Sequence, residues 1–226
     1  MTLIAGMPVT LVRHPRARRM KLSLDRRTGA LRLSIPPRAS AARALAWAEA
    51  HAGWAAAQAA KLPEKIALVD GAVFPLLGTP TTLVWCEGRG GRVDPGAAVL
   101  AVTCPSERLA AVTLRWLRRH ALEVLSADTA EFAVRAGVRV TRVSIGDPRS
   151  RWGSCSAAGA IRYSWRLILA PPSVRRATVA HEVAHRLHMD HSPRFHAALA
   201  TIADEDPRVS RQWLAANGAA LHGLGA

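Results

Sequence analysis

The amino-acid sequence predicts an α+β fold. Short alternating runs of apolar and polar residues dominate the first hundred positions, a long helical pattern starts near residue 105, and two further helical segments follow residue 172. Alternation with a period of two is typical of strands, whereas an apolar side that recurs every three to four residues is typical of helices. The resulting order of a β-rich region, a helix, strands and two helices is that of an α+β protein.

Residues 1–104 are predicted to form a β-rich region with one helix. Residues 8–35 alternate as in a β-hairpin, with turn-forming residues at 25–29. Ser40 stands where it can cap a helix that runs to about residue 61, since a serine side chain accepts a hydrogen bond from a free backbone N–H at a helix start. This first region is therefore expected to contain a hairpin followed by a helix.

A second β segment and a long helix follow. Residues 66–102 contain short strand-like runs separated by Gly and Pro, which predicts a small antiparallel region. Residues 105–136 have an apolar side typical of a helix, and Gly137 is the residue type that most often ends one. We therefore predict a domain boundary after residue 104, with a second domain over residues 105–226.

The second domain is expected to contain a small antiparallel sheet and two more helices. Its strands are predicted at residues 138–145, 150–156 and 161–169. A helix follows with Ser173 as its cap and ends near residue 188, and Ser192-Pro193 predicts the start of the next one, because proline is favoured at the first helical position.

Composition and cysteine usage narrow the class of protein. Half of the residues are apolar, so the chain can bury a core, and no run of about 18 apolar residues predicts a membrane span. The first residues lack the pattern of a secretory signal. Cys86, Cys104 and Cys155 are too few and too scattered for a disulfide framework, so we expect a cytoplasmic protein.

The strong positive charge indicates a polyanionic partner as one alternative. The sequence has 31 Lys and Arg against 16 Asp and Glu, a net charge of +15. All but three of the basic residues are arginine and alanine is abundant, which codon bias would also produce, but codon bias does not account for the shortage of acids. Contact with nucleic acid therefore remains an open alternative.

The segment His181-Glu-Val-Ala-His185 predicts a metal site. In a helix, positions i and i+4 lie about 40° apart around the axis, so both imidazoles project from one side, one turn apart. Glu182 is offset from that side and could contact a metal-bound water without binding the metal. This HExxH arrangement is typical of zinc hydrolases, with the glutamate as general base.

A catalytic zinc needs a third protein ligand and an open position. His191 is the predicted third ligand, because the chain must turn between His185 and the cap at Ser192, and that turn can return the imidazole to the helix. His188 and Glu205 are the alternatives. Asp190 or Asp206 could orient a ligand imidazole through its second nitrogen, a common arrangement at metal sites. The sequence does not indicate which of the two acids, if either, has this role.

These residues together predict a zinc-dependent hydrolase with one Zn²⁺ per chain. Zinc lowers the pKa of a bound water and polarises a carbonyl group, and Glu182 would accept the proton as the water attacks.

Four sequence blocks resemble those of a known family. They are Arg151-Trp-Gly-Ser-Cys-Ser156, Trp165-Arg-Leu-Ile-Leu-Ala-Pro-Pro172, His181-Glu-Val-Ala-His185 and Met189-Asp-His-Ser-Pro-Arg-Phe195. Their order and spacing resemble the YgjP-like metallopeptidases, zincins that are related to SprT-like proteins, and the resemblance covers about residues 10–200.

The resemblance implies a zincin-like catalytic domain that acts on a protein or peptide substrate. It also implies that the third metal ligand is His191, in agreement with the spacing. The strand that carries Trp152, Gly153 and Ser154 is implied as a neighbour of the active-site helix. These three residues could form an edge strand that pairs with an extended substrate, although Trp152 could equally be a core aromatic.

Two other functions remain open at this point. The first is a SprT-like protease that acts on DNA-bound proteins, which would accord with the positive charge. The second is a non-catalytic zinc-binding module, against which Glu182 argues, because a structural site does not need a base.

Overall fold

The computed structural model describes residues 2–25, 29–62 and 65–225. The chain divides into two compact units, residues 1–64 and 65–226. Helices and small mixed sheets occur together, so the predicted α+β class is confirmed. No helix in the described ranges is long and apolar enough to cross a membrane.

The first unit is a four-stranded sheet covered on one face by two helices. Its elements are β1 (Leu3–Ile4), β2 (Met7–Arg13), β3 (Lys21–Leu24), β4 (Leu31–Ile35), α1 (Ala41–Glu49) and α2 (Ala52–Ala59). The strand order is β1-β2-β4-β3. Alternate residues of β4 are fully buried and pack with Ala44 and Ala48 of α1, because a strand sends every second side chain to the same face.

The predicted hairpin over residues 8–35 is present in part. β3 and β4 pair antiparallel, with Lys21 opposite Ser34, but β2 runs parallel to β4. A parallel pairing requires the chain to cross from one end of the sheet to the other, and alternation within each strand does not reveal it. The turn lies partly outside the described residues, which omit 26–28.

The single helix predicted from Ser40 to about residue 61 is wrong, because it is interrupted. The Ser40 side chain does cap α1, accepting a hydrogen bond from the N–H of Arg43. The chain then forms a turn at residues 50–51 before α2 begins. The imidazole Nδ1 of His51 donates to the carbonyl of Trp47 over 2.7 Å, and the N–H of His51 donates to Ala48 instead. A side chain that donates a hydrogen bond to this carbonyl competes with the backbone N–H that would bond to it in a continuous helix, and so ends the helix.

The second unit begins with another four-stranded sheet. Its strands are β5 (Val73–Leu76), β6 (Thr79–Cys86), β7 (Arg92–Pro95) and β8 (Val99–Thr103), in the order β5-β6-β8-β7. The antiparallel region predicted for residues 66–102 is therefore wrong in one pairing, since β6 and β8 are parallel. β7 lies at the edge of the sheet, and β8 pairs antiparallel with β7 on one side and parallel with β6 on the other.

This sheet belongs with the helices that follow, not with the first unit. Leu83, Leu100 and Val102 are fully buried in the same core as Leu117 of the next helix. The two compact units consequently divide between residues 64 and 65, whereas the sequence predicts a boundary at residue 104. Shared burial of apolar side chains decides which elements form one unit, and the strand pattern alone does not contain that information.

Four helices and a three-stranded sheet complete the second unit. They are α3 (Leu109–Ala136), β9 (Arg142–Gly146), β10 (Gly153–Cys155), β11 (Ala160–Ser164), α4 (Pro172–Ala184), α5 (Pro193–Ile202) and α6 (Pro207–Leu221). Gly137 ends α3 with φ of 62°, as predicted. The Ser192 side chain accepts from the N–H of Phe195 at the start of α5, which confirms that cap. Ser173 is not a cap, because α4 already begins at Pro172.

The small sheet differs from the predicted antiparallel one. Its order is β10-β11-β9, with β10 antiparallel to β11 and β11 parallel to β9. The strand predicted to reach residue 169 ends at Ser164, and residues 165–169 form a fully buried 3₁₀ helix. The Ser164 hydroxyl accepts from the N–H of Arg166 and so begins that turn. β10 is left at the edge of the sheet, beside α4.

Two buried arginines hold α4 and the end of α6 through their ion pairs and hydrogen bonds. Arg175 of α4 donates to Asp128 of α3 over 2.7 Å, with both side chains about nine-tenths buried. Arg166 is 6% exposed and donates to Asp147 over 2.7 Å and to the carbonyls of Leu221 and Leu224 over 2.8 and 2.9 Å. Because a buried charge is costly unless it is fully paired, these contacts hold the helices in one arrangement.

Candidate active site

α4 presents two imidazoles on one side. His181 and His185 lie one turn apart, with ring centroids separated by 4.9 Å. α4 ends at Ala184, so His185 is the residue at its C-terminal cap. The shared face follows from helical geometry, because residues four apart project in nearly the same direction.

The turn after α4 brings a third imidazole to the same place. His191 Nε2 lies 3.2 Å from His181 Nε2, and one nitrogen from each of the three histidines lies within 4.8 Å of the others. The turn is short because Ser192 starts α5 immediately afterwards. The three predicted ligands are therefore the three histidines that the fold brings together.

The geometry of this cluster fits a metal ion. The Nδ1 of His185 donates to the main-chain oxygen of His188 over 3.1 Å, so its Nε2 carries no proton and can bind a metal. Two nitrogens at about 2.0–2.1 Å from a tetrahedral zinc are about 3.3 Å apart, close to the separation of the His181 and His191 nitrogens. Three nitrogen donors that leave one position open are typical of catalytic zinc sites.

Burial keeps the imidazoles in the form that binds metals. The pKa of His181 is lowered to about 4, mainly by burial and then by the neighbouring His185 and His191. Burial also lowers the pKa of His185. Metal binding requires a neutral imidazole, and these two rings are neutral at physiological pH.

Phe195 of α5 packs against all three imidazoles. Its ring centroid lies 5.0, 4.6 and 4.9 Å from those of His181, His185 and His191. Phe195 is fully buried. It therefore provides the apolar floor that limits how the three rings can rotate.

Glu182 lies beside the cluster in a buried position. Glu182 is only 6% exposed. Burial raises the pKa of its carboxyl group to about 7, and the positive charge of Arg151 opposes that rise. A carboxyl group with a pKa near neutrality can both accept and return a proton.

The other candidate residues lie outside the three-histidine cluster. Glu205 is exposed in the link between α5 and α6, and His188 contributes its main-chain oxygen to His185. Asp190 accepts from the N–H of Ser192, and Asp206 caps α6. The hydrogen-bond partner of His185 is thus a backbone carbonyl rather than either predicted acid.

A cleft of about 270 Å³ opens onto Glu182 and His181. One wall is formed by Arg151, Trp152 and Gly153, at the start of β10. Ser154 belongs to β10 but does not line the cleft. A second wall comes from α6, through Pro207, Ser210, Arg211 and Leu214. No motif marks α6, so the sequence does not predict this second wall.

Three further side chains in or next to the small sheet, those of Tyr163, Trp152 and Cys155, are fully or partly buried. Tyr163 is fully buried and its hydroxyl lies 3.1 Å from that of Thr129 of α3. Trp152 is half-buried against α6, with its ring 5.2 Å from that of His222. Burial raises the pKa of the Cys155 thiol.

The family model of the YgjP-like metallopeptidase domain matches residues 18–217 of the chain. The chain belongs to this family. The match spans both compact units and includes α4, the turn to α5 and most of α6. As the family is one of metallopeptidases, its members are metal-dependent, and the three-histidine cluster could hold the ion.

One solved structure also resembles part of the chain. It is the crystal structure of the metallopeptidase zymogen of Pyrococcus abyssi abylysin, with 13% identity and a TM-score of 0.37, over 41% of this chain and 93% of that one. No curated protein matches the chain.

In this member of the YgjP-like family, Gly153 allows the carboxyl group of Glu182 to lie against β10. A Cβ atom at position 153 would stand 2.5 Å from both Cγ and Oε1 of Glu182. Gly153→Ala is therefore expected to displace the carboxyl group and to lower kcat/KM about 100-fold, the usual effect of an ångström-scale misplacement. Steady-state peptidase kinetics would measure this, with metal content as a second readout.

Gly53→Ala is the matched control, because a Cβ there meets nothing within 4 Å. Equal activity of Gly153→Ala and the unmodified protein would show that the position of Glu182 does not matter.

Proposed function

We propose that the protein is a zinc peptidase in which His181, His185 and His191 bind one Zn²⁺ and Glu182 is the general base. The observation that carries the proposal is the convergence of three histidine ring nitrogens beside a buried carboxyl group that lines a cleft. Family membership supports the peptidase class.

Zinc is the metal that this donor set favours. Three imidazoles without a carboxylate are poor ligands for Mg²⁺ or Ca²⁺, which prefer oxygen, whereas imidazole suits zinc. When bound, a zinc ion would supply Lewis acidity that activates water and polarises the scissile carbonyl.

The chain's own residues would then move the proton. Glu182 accepts a proton at its carboxylate from the attacking water and returns it to the departing amine. Gly153 permits this carboxyl group to lie next to β10. His185 is held in orientation by the carbonyl of His188. These contacts keep the reacting groups in place before substrate arrives.

An extended peptide is the substrate shape that the cleft favours. β10 pairs only with β11 among the described strands, so its other edge is available to a substrate strand next to Glu182. We infer that Trp152, Gly153 and Ser154 bind substrate there, through main-chain hydrogen bonds that an added strand would make. The three free cysteines favour a reducing compartment, and we place the activity in the cytoplasm.

Removal and return of metal test this proposal. The zinc-loaded protein is incubated with an unfolded protein substrate, and new peptide termini are identified by mass spectrometry. We expect cleavage that stops on chelation and returns with zinc, since the base alone cannot activate water sufficiently. Zinc binding without new termini would contradict the peptidase assignment while leaving the metal site intact.

A further inference from the structure

The positive charge is concentrated in the first unit. Residues 1–64 contain eleven Lys and Arg against three Asp and Glu, a net charge of +8 out of +15 for the whole chain. The site proposed above lies entirely in the other unit and does not use this charge. A charge density of this kind requires a separate explanation.

The cations of the first unit gather at one end of its sheet. β2 and β4 are parallel and both finish there, while β3 starts there, since Lys21 pairs with Ser34. Arg13 fastens the segment after β4 to the end of β2, donating to the carbonyls of Pro37 and Ala39 over 2.6 and 2.9 Å. Residues 14–21 and 36–38 therefore form one surface, which we call the basic end.

Five cations project from the basic end. They are Arg16, Arg18, Arg19, Lys21 and Arg38, all exposed. None of their side chains makes a hydrogen bond or ion pair with any residue in the described ranges. Unpaired neighbouring cations repel one another, and an anionic ligand would relieve that repulsion.

The acidic residues of the unit do not neutralise the basic end. Asp25 follows the far end of β3, about 13 Å from Lys21 at about 3.3 Å per residue. Glu49 is the last residue of α1, also about 13 Å from Ser40 at 1.5 Å per residue. The third acid of the unit is Glu64, outside the described residues.

The uncovered face of the sheet adds hydroxyl groups to these cations. Thr10 pairs with Arg32, so both side chains point away from the helices, as does that of Ser34. Hydroxyls and arginines are common ligands of phosphate oxygens. Residues 1–35 contain no Phe, Trp or Tyr, so the face offers no aromatic ring on which an unpaired base could stack.

We propose that the basic end and the adjoining sheet face bind the phosphate backbone of duplex nucleic acid without reading its sequence. A duplex presents closely spaced phosphates and keeps its bases stacked inside, which matches a surface of cations and hydroxyls that lacks Phe, Trp and Tyr. The surface would hold the peptidase unit near nucleic acid, yet binding does not depend on metal or on hydrolysis.

Fluorescence anisotropy of the full chain with a labelled duplex DNA tests the proposal. With five phosphate contacts, the logarithm of the affinity should fall against the logarithm of the salt concentration with a slope of about −4.5. The variant Arg16→Ala/Arg18→Ala/Arg19→Ala should reduce that slope by about 2.7 and weaken binding on the order of 100-fold at 0.1 M salt. The Arg→Lys version of the same triple should retain the slope, because it keeps the charge.

Arg115→Ala/Arg118→Ala/Arg119→Ala is the matched control, since it removes three exposed charges from α3 in the other unit. It should bind almost as the unmodified protein does. Equal losses in both triples, no binding at low salt, or tighter binding to single strands or to phosphatidylserine vesicles would each overturn the proposal. The zinc-free protein should bind equally well, which separates this result from the fate of the proposed peptidase activity.

Discussion

Glu182→Gln is expected to abolish hydrolysis while leaving metal binding intact. The substitution keeps the size of the side chain, so the contact with Gly153 is preserved, but the amide cannot accept a proton from water. General-base catalysis contributes about 10²–10⁴-fold to a rate. We expect kcat/KM to fall about 1000-fold, a loss of about 4 kcal/mol in transition-state stabilisation. Kinetics on a peptide substrate would measure this, with zinc content determined in parallel.

The matched control is Glu205→Gln, which makes the same chemical change at an exposed position and should retain full activity. Two results would contradict the assigned role of Glu182. Full activity of Glu182→Gln would mean that another group removes the proton. Loss of zinc from that variant would mean that Glu182 binds the metal.

His191→Ala is expected to release the metal. The substitution leaves only His181 and His185, both on α4, and removes the nitrogen that lies 3.2 Å from that of His181. Loss of a partner that merely orients a ligand costs about 10–100-fold in metal affinity, so loss of a ligand should cost more than 100-fold. Elemental mass spectrometry of the purified protein, followed by competition with a chelating dye, would measure the change.

His196→Ala provides the comparison for this experiment. His196 is exposed on α5 and belongs to no metal-binding group among the described residues, so its removal should leave zinc content at about one ion per chain. Unchanged zinc affinity in His191→Ala would show that His191 is not the third ligand. Substitution of His188 would then be the next comparison.

Much of the three-histidine cluster was predictable because it depends on local geometry. His181 and His185 share a face for the reason that any residues four apart in a helix do. His191 follows from the turn that Ser192 and Pro193 require before α5. Each of these relations involves neighbours in sequence, and sequence patterns describe such relations well.

The features that the sequence did not predict depend on distant contacts. The parallel pairings of β2 with β4 and of β6 with β8 join segments whose alternation would suit either direction. The wall formed by α6 lies about thirty residues beyond Glu182 and has no motif. The hydrogen bond from His185 to the main-chain carbonyl of His188 could not be predicted. Every residue carries such a carbonyl, so the residue type does not indicate which one accepts a hydrogen bond.

The buried guanidinium of Arg166 has a consequence for how cleft width could change. It binds Asp147, which precedes the cleft wall at residues 151–153, and it also binds two carbonyls at and just beyond the end of α6, the helix that forms the second wall. One side chain thus links the two elements that line the cleft, which also meet where Trp152 lies beside Gly218, and it lies outside the three-histidine cluster. Evolution or protein engineering could adjust the gap between the walls through Arg166 and Asp147, and so change which substrates fit, without altering any residue of the reaction itself.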